Sequence, residues 1–285
     1  MSKPLVSIIM PTHNRATLVG KAIESVLSQT YENYEFLIIN DASTDDTANV
    51  VKKYTTEDDR LIYIENEHNL YIAASLNKGI KRARGRYIAR IDDDDLWQDP
   101  EKLRKQVEFL EGNKEYVVVG TFNVAINRSK GIKLIGIKPR TDKEIRDKML
   151  LGCPFIHASV VMRKDALDKV GYYDEVIEEA EDYDLWMRLG KVGKLYNVDH
   201  PCVLSLVGGP TNAAHKNRVG FMRTNLLLIK RYKNDYPHYG LAYLKACPEY
   251  LDVVFPAMRT ILWPIYKIRR IFLDNFGRKV RIEKL

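Results

Sequence analysis

Residues 5–15, LVSIIMPTHNR, decide the fold. Leu5–Met10 is a continuous apolar run, the pattern of a strand buried on both faces, and PTHNR supplies a polar turn directly after it. Beyond the turn, Leu18, Val19, Ala22, Ile23, Val26 and Leu27 recur at helical spacing. FLIIN (Phe36–Asn40) repeats the buried-strand pattern and leads into DASTDDT, a turn rich in helix N-cap residues. A helix through Val50 and Tyr54 precedes LIYI (Leu61–Ile64), and another around Ala73–Ala83 precedes RYIARI (Arg86–Ile91). Strands alternating with helices in this way predict an α/β domain with a central, mainly parallel sheet flanked by helices.

Downstream the alternation loosens. EKLRKQVEFLE reads as an amphipathic helix, YVVVGTF as a strand, GIKLIGI as an edge strand, HASVVM as a strand and EDYDLWMRLG as a short helix. From about Ala213 the chain reads as a helical, basic, proline-interrupted extension. Charge divides at the same place. Lys216–Leu285 holds 15 Lys/Arg against 5 Asp/Glu, a net of +10, while residues 1–215 carry −3. The acidic balance of the larger part argues against nucleic acid as a partner. Cys153, Cys202 and Cys247 are far apart with no CxxC, which speaks for thiols in a reducing compartment rather than a disulfide framework or structural zinc. The N-terminal segment lacks a signal-peptide pattern, and no window has about 18 uninterrupted apolar residues. The expected location is the cytoplasm.

Open α/β sheets bind ligands beyond the carboxyl ends of their strands. Three polar clusters fall at such ends: Pro11–Arg15, Asp41–Asp46 and Asp92–Asp95. None carries GxGxxG or GxxxxGK[ST], so dinucleotide-dehydrogenase and P-loop chemistry lose their main support. IDDDDLW puts four carboxylates directly after an apolar strand. Hard oxygen donors in a ligand crevice suit Mg²⁺ or Mn²⁺, whereas a solvated acidic turn with Asp99 as a helix cap is the plainer alternative. EAEDYDLWMRLG sets Glu181, Asp182 and Asp184 in a helix's first turn, beside apolar Leu185, Trp186 and Leu189. Such acids complement the helix dipole, or one of them serves as a general base whose pKa desolvation raises.

The motifs VSIIMPTHNR, FLIINDASTDDT, LNKGIKRARGRYIARIDDDD and HASVVMRK…VGYYDE…EDYDLWMRL, in this order, resemble glycosyltransferase family 2 from about Leu5 to Asn212. The resemblance implies an inverting enzyme of the GT-A fold that uses nucleotide-diphosphate sugars, UDP-linked ones first. It implies a catalytic domain over residues 1–212, with a nucleotide-sugar-binding half to about residue 95 and an acceptor half over 96–212. Residues 213–285 form the extension. Pro11 and His13 would line the nucleoside pocket, and Asp41 would read the base. Asp92 and Asp94 match the two acids of the DxD motif, with Asp92 near the ribose and both toward Mn²⁺ or Mg²⁺; Asp95 is an adjacent ligand candidate. Asp182 matches the general base, with Glu181 beside it. The sequence departs from the family at Tyr71, where Gly is common, and at Val207, near the usual place of a metal-binding His. His215 and His157 are the candidates to replace that His, and His157 could equally contact the acceptor or be a packed core residue.

These parts together imply transfer of a sugar to a hydroxyl of a saccharide or lipid-linked acceptor, as in cell-surface polysaccharide synthesis. The alternatives are a nucleotidyltransferase of similar layout, whose Gly-rich basic signature PTHNRATLVG lacks, and an inactive sugar-nucleotide sensor. In the tail, Phe255, Trp263 and Tyr266 are interleaved with Lys267, Arg269, Arg270 and Arg278, while Pro256 and Pro264 keep the apolar pieces short. That pattern predicts either a helix packed on the domain or peripheral attachment to an anionic membrane surface.

Overall fold

The structure, a computed structural model, describes residues 5–127, 131–207, 217–254 and 279–284. Its first part runs β1 (Val6–Thr12), α1 (Val19–Leu27), β2 (Tyr34–Asn40), α2 (Thr47–Glu57), β3 (Leu61–Glu65), α3 (Tyr71–Arg82) and β4 (Tyr87–Arg90). Strands β3, β2, β1 and β4 lie side by side in parallel, with Thr12 opposite Asn40. The apolar run of β1 serves both faces. Ile9 packs with Leu37, Leu76 and Ile80 on one side, while Ile8 and Met10 pack with Ile23, Val26 and Phe36 on the other. Each such fully buried side chain stabilises by about 1.5–3 kcal/mol relative to exposure. Helix α3 approaches the sheet so closely that a Cβ on Gly79 would stand 2.8 Å from both Ile9 Cγ2 and Ile39 Cδ1.

The second part contains β5 (Asp95–Trp97), α4 (Lys102–Gly112), β6 (Tyr116–Asn127), β7 (Ile132–Ile137), α5 (Asp142–Lys148), β8 (Val161–Arg163), α6 (Lys164–Val170), α7 (Glu181–Leu189) and β9 (Lys194–Val207). Here the pairing turns mixed. Strand β8 runs antiparallel to both β4 and β6, β6 runs antiparallel to β7, and β9 is parallel to β6 but antiparallel to β5. The α/β domain with helices flanking a central sheet is thus as the sequence implied, and its parallel order is concentrated in the first 90 residues.

Three local features differ from the sequence reading. His157–Ser159 is a single 3₁₀ turn ahead of the short β8 rather than the start of a strand. Ser159 explains this: its Oγ donates to the Ile156 carbonyl and accepts from the Thr121 amide, so side-chain bonds replace the ladder. The extension contributes α8 (Arg218–Arg231) and α9 (Tyr239–Val254), but residues 279–284 form a strand, β10, rather than helix. KVRIEK alternates apolar with charged residues, which suits a half-exposed strand, and β10 pairs antiparallel with β7. GIKLIGI is therefore an inner strand, with β10 outside it. Residues 255–278, which hold the aromatic and basic tail, lie outside the described residues, as does His215. No helix among the described residues is long and apolar enough to cross a membrane.

Candidate nucleotide and catalytic site

The parallel register of β1 and β2 brings their carboxyl ends together. His13 Nδ1 donates to the Asp41 carbonyl at 2.7 Å, and that bond leaves Nε2 as the acceptor. Nε2 faces the side-chain amides of Asn14 at 3.1 Å and Asn69 at 3.5 Å. Asp41 is buried, and its Oδ1 accepts from Asn66 Nδ2 and the Leu70 amide, both at 2.8 Å. Pro11, next to Thr12 at the end of β1, sits opposite Ile39. Pro11, His13 and Asp41 thus share one edge, floored by the loop between β3 and α3.

The acidic turn follows β4 on the same edge. Two arginines hold it, and neither was among the site residues expected from the sequence. Arg90, fully buried in β4, makes a two-pronged ion pair with Asp92. Burial opposes its charge, but Asp92 overcomes this and keeps Arg90 firmly protonated. Arg15, from the β1 loop, reaches Asp93 at 3.4 Å and Asp94 at 3.9 Å. Burial still pushes Asp93 up to about 6, with Asp94 adding to the effect. Burial and then Asp92 raise Asp94, against the pull of Arg15. Asp95, buried in β5, is raised well above the usual carboxylate range by burial first and Asp92 second. The turn thus sets four carboxyl groups against two arginines, and all its donors are oxygens. Such a set fits a hard divalent cation.

A second acidic pair opens α7. Ala180, just ahead of it, has a left-handed backbone (φ 64°), so Glu181 and Asp182 enter the helix through a turn rather than along a strand. Burial and then Asp182 push Glu181 up to about 8. Burial also raises Asp182, while the Tyr183 amide and then Arg90 lower it. The Cys153 thiol lies 3.6 Å from Asp182 Oδ2 as a weak donor. His157 bonds Tyr173 Oη at 2.7 Å and sits edge-on to Trp186; burial, then the charge of Arg90, holds its imidazole neutral. A cavity of about 120 Å³ adjoins Asp182, with Cys153, Tyr183, Asn225 of α8 and Lys245 of α9 in its walls. Asp184 points elsewhere, toward Arg188, Arg231 and Tyr232, where it ties α7 to α8.

Arg90 links the two acidic clusters, being paired with Asp92 and within electrostatic reach of Glu181 and Asp182. A charged residue inside the otherwise apolar YIARI (Tyr87–Ile91) is the signal the sequence offers for it. Strain marks the same edge. Among the described residues six non-glycines have positive φ, and four adjoin site positions: Asn14, Ala42, Tyr71 and Ala180. A left-handed backbone costs about 1–2 kcal/mol per residue, and such outliers gather where a ligand site requires them. The three-ligand cluster Asp99, His200 and Cys202 lies apart from the acidic turn, and Lys105 already pairs with its carboxylate at 2.8 Å.

Residues 7–171 match the family model described as glycosyl transferase family 2. EpsE of Bacillus subtilis, described as a glycosyltransferase, is 40% identical over 195 residues, covering 67% of this chain and 69% of that protein. An uncharacterized glycosyltransferase of Methanocaldococcus jannaschii is 35% identical over 192 residues, covering 66% of this chain and 65% of its own length. Among solved structures, the Pyrobaculum calidifontis mannosyltransferase in complex with GDP-Man and Mn²⁺ superposes with a TM-score of 0.65 at 19% identity, over 88% of this chain and 74% of that one. S. aureus TarS 1–349 in complex with UDP-GlcNAc gives 0.65 at 18% identity, over 86% and 72%. At these identities the structural likeness speaks for the fold.

Proposed function

The chain belongs to glycosyl transferase family 2, and from that premise we propose that it moves a sugar from a nucleotide-diphosphate donor, UDP-linked, onto a hydroxyl of a saccharide or lipid-linked acceptor in cell-surface polysaccharide synthesis. The observation that carries this reading is the two acidic clusters on either side of Arg90, one of them on the strand-end edge that also holds His13 and Asp41. Pro11 and His13 flank the nucleoside, and the Asp41 carboxylate accepts the ring N–H of a pyrimidine. Asp94 and Asp92, with Asp95 behind them, are the residues that would hold Mn²⁺ or Mg²⁺. Bound there, such a cation would supply charge neutralisation for the departing diphosphate.

Asp182 takes the acceptor's hydroxyl proton as the new C1–O bond forms and the C1–O bond to the diphosphate breaks. Desolvation makes it a stronger base than a free carboxylate. Attack from the face opposite the leaving group inverts the anomeric carbon, so one base suffices and no covalent sugar–enzyme intermediate forms. Arg90 pairs with Asp92 and lies close enough to Asp182 to favour its charged form.

The test is a screen of UDP-, GDP- and dTDP-linked sugars for thermal stabilisation and metal-dependent donor hydrolysis. A UDP-sugar should lead both readouts; a response to nucleoside triphosphates alone would sink the reading. The tail supports a peripheral place on an anionic membrane, which would bring a lipid-linked acceptor within reach. Sedimentation with anionic vesicles should be salt-sensitive and absent for a chain ending at Tyr250. Equal sedimentation of the two chains overturns it.

A further inference from the structure

Packing does not explain Tyr71. Its side chain is 77% exposed, the highest value among the aromatic residues left exposed, and its hydroxyl has no hydrogen-bond partner among the described residues. Its backbone is nevertheless held at φ 64°, the left-handed region that favours glycine. An exposed residue with nothing to gain from burial has no folding reason to accept such strain. The bonds around it show what holds it there. The Tyr71 amide donates to Asn69 Oδ1 at 2.9 Å, and the amide of Leu70, one residue earlier, donates to Asp41 Oδ1 at 2.8 Å. Asn69 Nδ2 stands 3.5 Å from His13 Nε2. The short loop under the ring is thus fastened to both residues assigned to the nucleoside.

We propose that the Tyr71 ring is a stacking wall for the nucleobase of the donor, facing the base across the pocket from His13. This rests on the nucleotide-sugar reading above and adds to it a residue that raises affinity for the nucleoside. Stacking suits the position. An aromatic face needs no hydrogen-bond partner, gains from covering a flat apolar ring, and accepts any base because each presents a π-face. Asp41 then chooses the base while Tyr71 adds affinity. The strained backbone projects the ring outward before the ligand arrives, so less ordering is left to binding.

Calorimetric titration of the full chain with UDP, and separately with pyrophosphate, tests the assignment. Removing one base–aromatic stack weakens binding by about 5–150-fold, so Tyr71→Ala should lose UDP affinity within that range while pyrophosphate binding stays unchanged. Tyr71→Phe, which keeps the face and drops the hydroxyl, should bind UDP as the parent does. Tyr71→Gly should also lose UDP affinity while its Tm rises, because glycine removes the strain. Parent-level UDP affinity in Tyr71→Ala overturns the stacking role and leaves the nucleotide reading standing. Equal losses for UDP and pyrophosphate also overturn it, since they indicate a collapsed loop. A parent chain that binds no nucleoside diphosphate overturns the reading of the pocket, and the inference with it.

Discussion

The acidic turn Asp92–Asp95 and the acidic pair Glu181–Asp182 use the same functional group for opposite ends. The turn lies at a strand end with Asp92 and Asp94 about a third exposed (33% and 28%), Asp93 and Asp95 more deeply buried, and two arginines against it. The pair opens a helix whose next residues, Tyr183, Leu185 and Trp186, are core; burial is the largest influence on its acids, as it is on Asp93, Asp94 and Asp95, but no arginine pairs with them directly among the described residues. In the turn, several carboxylates crowd one another and call for a cation. In the pair, desolvation raises both acids toward their protonated forms. On the roles proposed above, environment rather than residue type would separate a holder of charge from a mover of protons.

The largest effect should come from the turn. Asp94→Asn removes a charge from a site that works by charge, so sugar transfer should fall to background while Tm stays near the parent's. Metal removal should do the same, with activity restored by added Mn²⁺ or Mg²⁺. Transfer and Tm are measured together. Full activity in chelator, with metal absence verified, would erase the contrast between the two clusters.

The pair should give a smaller and more selective loss. Asp182→Asn should lower turnover by about 10²–10⁴-fold, the usual contribution of a general base, with donor affinity by calorimetry nearly unchanged. Parent-level turnover would make Asp182 merely a first-turn acid of α7, and the proton acceptor would have to be sought elsewhere.

The sequence made one side of this comparison easier to read than the other. Buried parallel strands announce themselves as apolar runs, so β1, β2 and β4 and the polar ends behind them were legible. The turn followed from its position after β4, and Asp182 from its aromatic neighbours together with the family pattern. Arg90 was not legible as a site residue, because its role depends on three-dimensional convergence of residues 92, 173 and 181, which no spacing encodes. Arg15 escaped for the same reason, its partners lying 78 and 79 positions away in the chain. The environment of Cys153 required knowing that the loop after α5 folds against α7. Strand β10 failed on a different ground. Its alternation is only six residues long and follows a stretch whose composition reads as helix, while the partner that makes it a strand, β7, lies far back in the sequence.

The smallest effect concerns Glu181 and is one of stability. Its carboxyl is pushed up to about 8 in the folded chain, against 4.5 for the ordinary value it regains on unfolding. Between those pH values the folded state holds a proton that the unfolded state has released, so stability falls as pH rises through that window. Below pH 4.5 the proton is bound in both states, and above about 8 it is lost from both, leaving the cost of the buried charge in full. Glu181→Gln keeps the size and removes the titration. Its Tm should match the parent's near pH 5 and exceed it by a margin that widens toward pH 8, at about 2 °C per kcal/mol for a chain of this size. Asp182 titrates in both proteins and cancels in the comparison only so far as it is independent of Glu181, so Asp182→Asn serves as the background for a second pair of curves. A widening margin in both backgrounds locates the proton on Glu181. Parallel Tm–pH curves in both would mean that burial does not hold a proton on Glu181, and the desolvated character of the pair would rest on Asp182 alone.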